Sequence, residues 1–419
     1  MSVKHIGRFI YIAVAAVSVL AAAGLAGCSS LSGCVKEAVQ TETEKEEMVL
    51  WCYWDTPSHQ KTLDGLVKGF NESRKDISLQ VKYIPDEDFK KELVLAMADG
   101  RAPDVAIVDS SDFQFLYDAQ PFVDLTDEIE GLQDYQEVAL KPCTVGNRIY
   151  GMPFGLNCTA LFYNEDMLKE AHVDVPETWE DFRRAAHALT DEEHYGFGMA
   201  AVKSEESVYC FLPVLWSMGG HVTDINSRNS AKAFSFIAQL IEDGAMSREN
   251  MNMTLGDVKN QFADGKLAMM INTTSIIGAL ESSNPELNFG VTFVPSDGEH
   301  VAAAGGEILA VTAGVHQQEA VEFLRYLNDG DRMASYIDGL GVMSCRKDII
   351  SGQFKNDPLQ KKSIELLETA RTREITPEWP RISLILAETM ENVIIGEREQ
   401  GEILAEAARK IRDIREESR

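Results

Sequence analysis

Two kinds of side chain stand out for the chemistry they could do together. The flat rings of Trp51, Tyr53, Trp54, Trp216 and Trp379 could stack on the apolar faces of pyranose rings. The polar ends of Asp55, Asp109, Ser111, Asn157, Asn272, Thr273 and Glu307 could satisfy sugar hydroxyls. Gly305-Gly306, just ahead of Glu307, would let the backbone approach a ligand closely. Each residue also has a packing role open to it. Trp51 suits a strand core, Trp54 a strand end that faces either a cleft or the interior, and Trp216 an apolar helix. Asp109 could cap the next helix. Trp379, in Pro377-Glu378-Trp379-Pro380, reads as a loop aromatic, which suits binding or hinge packing. Glu307 could instead make a surface or inter-lobe ion pair.

Other chemistries leave no comparable trace. No HExxH, GxSxG or GxxxxGKS/T stretch occurs, and Gly265-Lys266 lacks the earlier glycine of a phosphate loop. The eight His are dispersed, without metal spacing, so neither a metal nor another cofactor is expected. Paired carboxylates for glycoside hydrolysis carry no weight among 67 Asp and Glu. Of seven Cys, none forms a CxxC pair, which is neither a zinc pattern nor a disulfide framework. Buried apolar packing accounts best for most of them.

The elements that must position these groups read in order. Met48–Cys52 is an apolar strand, and Thr56-Pro57 starts a helix whose apolar face is Leu63, Leu66, Val67 and Phe70. Ile77, Leu79, Val81 and Tyr83 alternate as a strand. Phe89, Leu93, Ala96 and Met97 make a helix face that stops at Gly100, and 104–108 is a third strand. This alternation implies an α/β fold with a parallel sheet flanked by helices, where ligands bind beyond the strands' carboxyl ends. That rule singles out Tyr53-Trp54-Asp55 and Asp109–Asp112. Pro153 marks the exit from a first lobe, Thr159–Tyr163 is a buried strand, and Thr178 with Asp181 is a capping box. Further on, 195–200 reads as a strand, 208–218 as an apolar helix, and 233–241 as an amphipathic helix. The tail from Ile382 reads as two amphipathic helices packed on the second lobe.

The stretch 150–182, YGMPFGLNCTALFYNEDMLKEAHVDVPETWEDF, closely resembles a family signature of the form YG-x-P, then L-x-YN-x-D, then P-x-TW-x-(D/E)-F. It belongs to extracellular solute-binding proteins of family 1, the maltose-binding type, which serve ABC sugar importers as substrate receptors. Ala102–Val105, Trp216 before Gly219-Gly220, Phe262–Met270 and Ala304–Val311 resemble further elements of that family, so the likeness runs from about Met48 onward. It implies a two-lobed, periplasmic-binding-protein-like (Venus flytrap) fold. Each lobe would be a sheet flanked by helices, with three inter-lobe crossings. The expected lobes are 48–156 with 296–346, and 157–295 with 347–419. It implies ligand contacts near Trp54, Asp55, Asp109 and Ser111, with Asn157, Trp216, Asn272, Gly306, Glu307 and Trp379 completing the candidate set. Two departures matter. Asn272–Ser275 stands where many members carry a Trp, and Glu307 where a neutral or aromatic residue is common. A linear oligosaccharide is thereby less favoured, and an amino sugar or other cationic ligand stays open.

The amino terminus has targeting character. Lys4 and Arg8 precede an apolar run, and Leu25-Ala26-Gly27-Cys28 resembles a bacterial lipobox. Residues 1–27 are expected to be a signal peptide and Cys28 the lipidated residue, with 28–47 a disordered acidic tether. An uncleaved membrane anchor is the alternative. Formal net charge is −28, and loss of Lys4 and Arg8 with the signal lowers it by two to −30. Such a surface repels nucleic acid and anionic membranes. Taken with the family resemblance, the expected protein is a monomeric lipoprotein on the outer face of the cell membrane. The resemblance implies that it captures a small-molecule solute, foremost a carbohydrate, for an ABC permease with a separate ATPase. A membrane-anchored glycan-cleaving enzyme and a sensor subunit for a membrane kinase are the alternatives.

Overall fold

Three parallel strands joined by helices open the described chain, residues 45–417 of the computed structural model. They are β1 (Glu46–Cys52), α1 (Pro57–Ser73), β2 (Ile77–Tyr83), α2 (Asp86–Ala98) and β3 (Val105–Asp109). Pro57 opens α1, where its missing N–H costs nothing. Leu63, Leu66, Val67 and Phe70 are the buried face that their spacing predicts. α2 gives way to Gly100, whose φ of +67° suits glycine. β1 pairs parallel with both β2 and β3. It starts at Glu46, paired with Ile77, so the last two residues of the expected tether belong to the sheet. Cys28 and the proposed signal and lipobox lie outside the described residues.

Two long strands then organise the rest. They are β4 (Met152–Asn164) and, later, β8 (Ala302–Val311). Between them come α3 (Trp179–Ala188), β5 (Tyr195–Met199), α4 (Glu205–Ser217), α5 (Arg228–Glu242), α6 (Leu255–Ala263), β6 (Leu267–Thr273) and β7 (Phe289–Thr292). After β8 follow α7 (Gln317–Leu327), α8 (Gly330–Leu340), α9 (Pro358–Leu367), β9 (Ala370–Arg371), α10 (Trp379–Ile395) and α11 (Gln400–Glu417). One nine-stranded sheet runs β2-β1-β3-β8-β4-β6-β5, with β9 beside β8 and β7 beside β4. β8 lies antiparallel to β3 and β4, so the sheet is mixed, not parallel throughout.

β4 changes partners along its length. Residues from Met152 to Cys158 pair with β8, and those from Thr159 onward pair with β6 and β7. The chain thus passes between the two halves of the sheet inside one strand, and Pro153 is not an exit. Its tolerance has a local cause. The register shifts between Glu307 and Ile308, so that Gly155 and Pro153 face consecutive residues of β8 and Phe154 is the extra one. Proline is accepted in a sheet at such a bulge.

Apolar faces cover the sheet. On the first half, α1, α7 and α8 pack on one side and α2 with Phe113 and Phe122 on the other. On the second half, α3, α4, α5, α10 and α11 enclose a separate core. Thr178 caps α3 by accepting from the Asp181 N–H at 3.1 Å. α10 begins at Trp379, three residues before the expected start of the tail, and with α11 it packs on α4 and α5. Cys52, Cys143, Cys158, Cys210 and Cys345 are buried free thiols, and burial raises each pKa. Among the described residues no helix is long and apolar enough to cross a membrane, and no cluster of ligating side chains suits a metal ion.

Candidate functional site

Strand ends and helix starts from both halves of the sheet converge on a cavity of about 450 Å³. Tyr53 follows β1. Asp109 ends β3, and its Oδ1 accepts from the Ser111 N–H at 2.7 Å, which fixes the turn that carries Ser111 and Asp112. Asp86 and Lys90 come from the first turns of α2, and Lys90 pairs with Asp112 at 2.5 Å. From the other half, Ser204 caps α4 and places Glu205 and Glu206 in its first turn, with Tyr209 one turn on. Thr273 ends β6, with Ser275 just beyond. Asn157 of β4 and Gly305-Gly306 of β8 complete the wall, and Asn157 Oδ1 accepts from the Tyr209 hydroxyl at 2.8 Å. Gly306 has φ +145°, and a Cβ there would stand 2.1 Å from the Gly155 carbonyl oxygen, so only glycine fits.

Arg373, between β9 and α10, is 6% exposed. Its Nη2 donates to Asp109 Oδ1 at 3.0 Å and Ser110 Oγ at 3.1 Å, and its Nη1 to Glu205 Oε1 at 3.0 Å. The guanidinium lies 5.3 Å from the centre of the Tyr209 ring. Burial opposes its charge, but Asp109 and Glu205 outweigh that and raise its pKa. Glu205 also accepts from Trp379 Nε1 at 3.1 Å and from the Ser383 hydroxyl. A narrower crevice shares Ser111, Gly305, Gly306 and Arg373 with the cavity and reaches Glu307. Burial, then the charge of Asp109, pushes the Glu307 carboxyl up to about 7 against side-chain hydrogen bonds with Trp54 and Tyr53. Burial likewise brings Asp112 to about 6 despite Lys90. Asp86 and Glu206 are also raised, first by burial, and Asp86 adds to the rise at Glu206 across the cavity.

The sequence profile of the bacterial extracellular solute-binding proteins matches residues 65–362. The chain belongs to that family. The solute-binding chain is 23% identical over 377 residues to the multiple sugar-binding protein of Streptococcus mutans, covering 80% of this chain and 84% of that protein. It is 25% identical over 395 residues to a maltodextrin-binding protein of Bacillus subtilis, covering 88% and 89%. Among solved structures, a solute-binding protein from Thermotoga lettingae bound to α-D-tagatose superposes with a TM-score of 0.81 at 23% identity, over 88% of this chain and all of that one. A maltose-bound protein from T. maritima does so with a TM-score of 0.80 at 20% identity, over 88% and 99%. The fold of the solute-binding chain is thus the periplasmic-binding-protein-like one.

Of the residues singled out from sequence, Tyr53, Asp109, Ser111, Asn157, Thr273 and Gly306 line the cavity, and Glu307 lines the adjoining crevice. The tryptophans do not. Trp54 is buried, with its ring stacked on Phe154 at 6.1 Å between centres, and Trp51 is buried under Lys82. Trp216 is half-buried on α4 against the second core. Trp379 is 1% exposed and starts a helix, not a loop, because Pro380 sits in the first turn where proline is tolerated. Asp55 points to solvent. Asn272 is fully buried, where its Nδ2 donates to the Leu255 carbonyl at 3.0 Å and its Oδ1 accepts from the Thr273 N–H at 2.8 Å. The rings that line the cavity are Tyr53, Phe89 and Tyr209. Arg373, Glu205 and Tyr209 escaped the sequence reading. Ser204 followed by two acidic residues ahead of the apolar run was a readable helix start, whereas nothing local marks Arg373.

Proposed function

We propose that this chain captures an extracellular carbohydrate in the cavity between two lobes and hands it to an ABC permease driven by a separate ATPase. The observation that carries this reading is the cavity itself. Tyrosine rings stand beside carboxylate, amide and hydroxyl groups contributed by both halves of the sheet, an arrangement that suits a polyhydroxylated ligand. Relatives named for multiple sugars, arabinooligosaccharides and galactooligosaccharides support the same ligand class. We place the lobes at 48–156 with 296–346, and 157–295 with 347–419. The change of partners along β4 supports a crossing near Asn157. A ligand that touches both lobes favours the closed form by its differential affinity. Cys28, as a lipid-bearing residue, would hold the protein at the outer face of the membrane as a monomer.

Binding without turnover is part of the reading. A thermal-shift screen against mono-, oligo- and amino sugars tests it, because a ligand of the folded state raises the melting temperature by mass action. One sugar class is expected to give a clear shift and to be recovered intact. No shift with any sugar at millimolar concentration, or cleavage of a bound glycan by the pure protein, would overturn it. Loss of the radiolabelled lipid on changing Cys28 to Ala in cells checks the anchor.

A further inference from the structure

Arg373 touches both walls of the cavity. Through Nη2 it holds Asp109 Oδ1 and Ser110 Oγ on the side of β3, and through Nη1 it holds Glu205 Oε1 on the side of α4. Both oxygens of Glu205 are occupied from within the protein, by Arg373 and Trp379 on one and by Ser383 on the other. Asp109 differs. Its Oδ1 takes Arg373 and the Ser111 N–H, among the described residues no hydrogen bond uses its Oδ2, and its side chain keeps 36% of its surface exposed. One guanidinium between these two carboxylates balances one of their two negative charges, and its removal would leave both unbalanced in a lining where Asp86, Glu87, Asp112 and Glu206 already outnumber Lys90.

We propose that Arg373 is a positioning and specificity-determining residue of this site: it clamps Asp109 on one wall to Glu205 on the other and so presents Asp109 Oδ2 as an acceptor for a hydroxyl in preference to an ammonium group. The ligand half of this inference rests on the carbohydrate reading above, and the clamp does not. A planar fork is needed for the task, since it reaches two carboxylates in fixed directions, whereas a lysine ammonium is a point charge on a flexible stem. The Tyr209 ring, whose centre lies 5.3 Å from the guanidinium carbon, adds a cation–π contact that helps to hold it in place. Without the cation, two carboxylates would face one cavity unpaired, and the walls would part or admit another cation.

The test uses the full chain in detergent, as wild type, Arg373→Lys and Arg373→Gln, with two readouts. Hydrogen exchange needs no ligand. R373Q is expected to speed exchange at 109–112 and 204–206 together while the central strands stay protected, and unchanged exchange at both segments overturns the clamp. Calorimetric titration uses maltotriose, galactobiose and arabinotriose against glucosamine and deacetylated chitotriose. R373Q is expected to lose on the order of tenfold or more for the neutral sugar that binds wild type, and to shift its preference toward the amine-bearing one. R373K is expected to restore the preference and only part of the affinity. An unchanged neutral-to-amine ratio in R373Q overturns the specificity role, since a merely structural residue would weaken both alike. If no sugar binds wild type while R373Q still loosens both segments, the carbohydrate reading fails and the clamp stands. Should R373Q not fold, R373K decides through the same two readouts.

Discussion

Glu307 lies on β8 opposite both Asp109 and Gly155, where three strands meet at a register shift. Burial and the charge of Asp109 make ionisation costly there, so its carboxyl titrates at about 7 instead of its ordinary 4.5. The sign follows from proton counting. Between those values the folded state holds a proton that the unfolded chain has released, so stability falls as pH rises. The cost is absent below about 4.5 and complete above about 7. Glu307→Gln removes the charge and keeps the shape. The variant is therefore expected to melt well above wild type at pH 8 and close to it at pH 5, and an equal gap at both pH values would contradict this account. Gly306 sets a second expectation. Alanine there combines a backbone conformation that L-residues avoid with a Cβ 2.1 Å from a carbonyl oxygen. The cost should reach about 3 kcal/mol or more, read by urea unfolding. Neither residue could be ranked from sequence alone. A Gly-Gly-Glu string announces close approach, but the pKa of its carboxyl depends first on burial and then on Asp109, far away along the chain.

Helices and strands were legible where one face is apolar. The faces of α1 and α2 were read residue for residue because core burial imposes a 3.6-residue period that no tertiary partner alters. Two of the failures share a cause, which is proline. The sequence marks Pro153 as an exit, yet a bulge against β8 accommodates it inside a thirteen-residue strand. Pro380 suits a loop by the same rule, yet in the first turn of a helix the N–H that proline lacks would go unused. In both cases the local rule was sound and the partner element supplied the exception. α4 provides the test at this scale. Ser204 accepts from the Glu206 N–H and so aims Glu205 into the cavity. Ser204→Ala should cost about 1 kcal/mol in stability, and it should weaken ligand binding more than loss of an exposed cap away from the cavity does, such as Asp329→Ala at the start of α8. Equal binding by the two variants would mean that α4 holds its first turn without the cap.

At the scale of the whole molecule, the cavity could not be assembled from sequence, since Asp109 and Arg373 stand 264 residues apart. Sequence reading reaches the β-strand ends, where the α/β rule already points, and stops there. The contribution of the carboxyl-terminal helices is the clearest case. α10 and α11 were expected to be an amphipathic tail, yet they carry more than packing. Trp379 and Ser383, on the first turns of α10, hold the carboxylate of Glu205, which in turn holds Arg373. α10 also packs on α4, the helix that carries Glu205 and Tyr209, while α11 covers α10 from outside. The tail therefore joins the second core to the cavity wall. A chain ending before Gln400 removes α11 and bares the apolar face of α10, including positions that pack with Ile403, Leu404, Ala407 and Ile411. Ile403, Leu404 and Ile411, at about 1.5 kcal/mol or more each when fully buried, represent a large share of the few kcal/mol by which a domain is stable. The shortened chain is expected to lose its cooperative melting transition, and with it any sugar-induced shift. If it instead melts cooperatively and still binds, α11 is an ornament of the second lobe, and Glu205 is held by α10 alone.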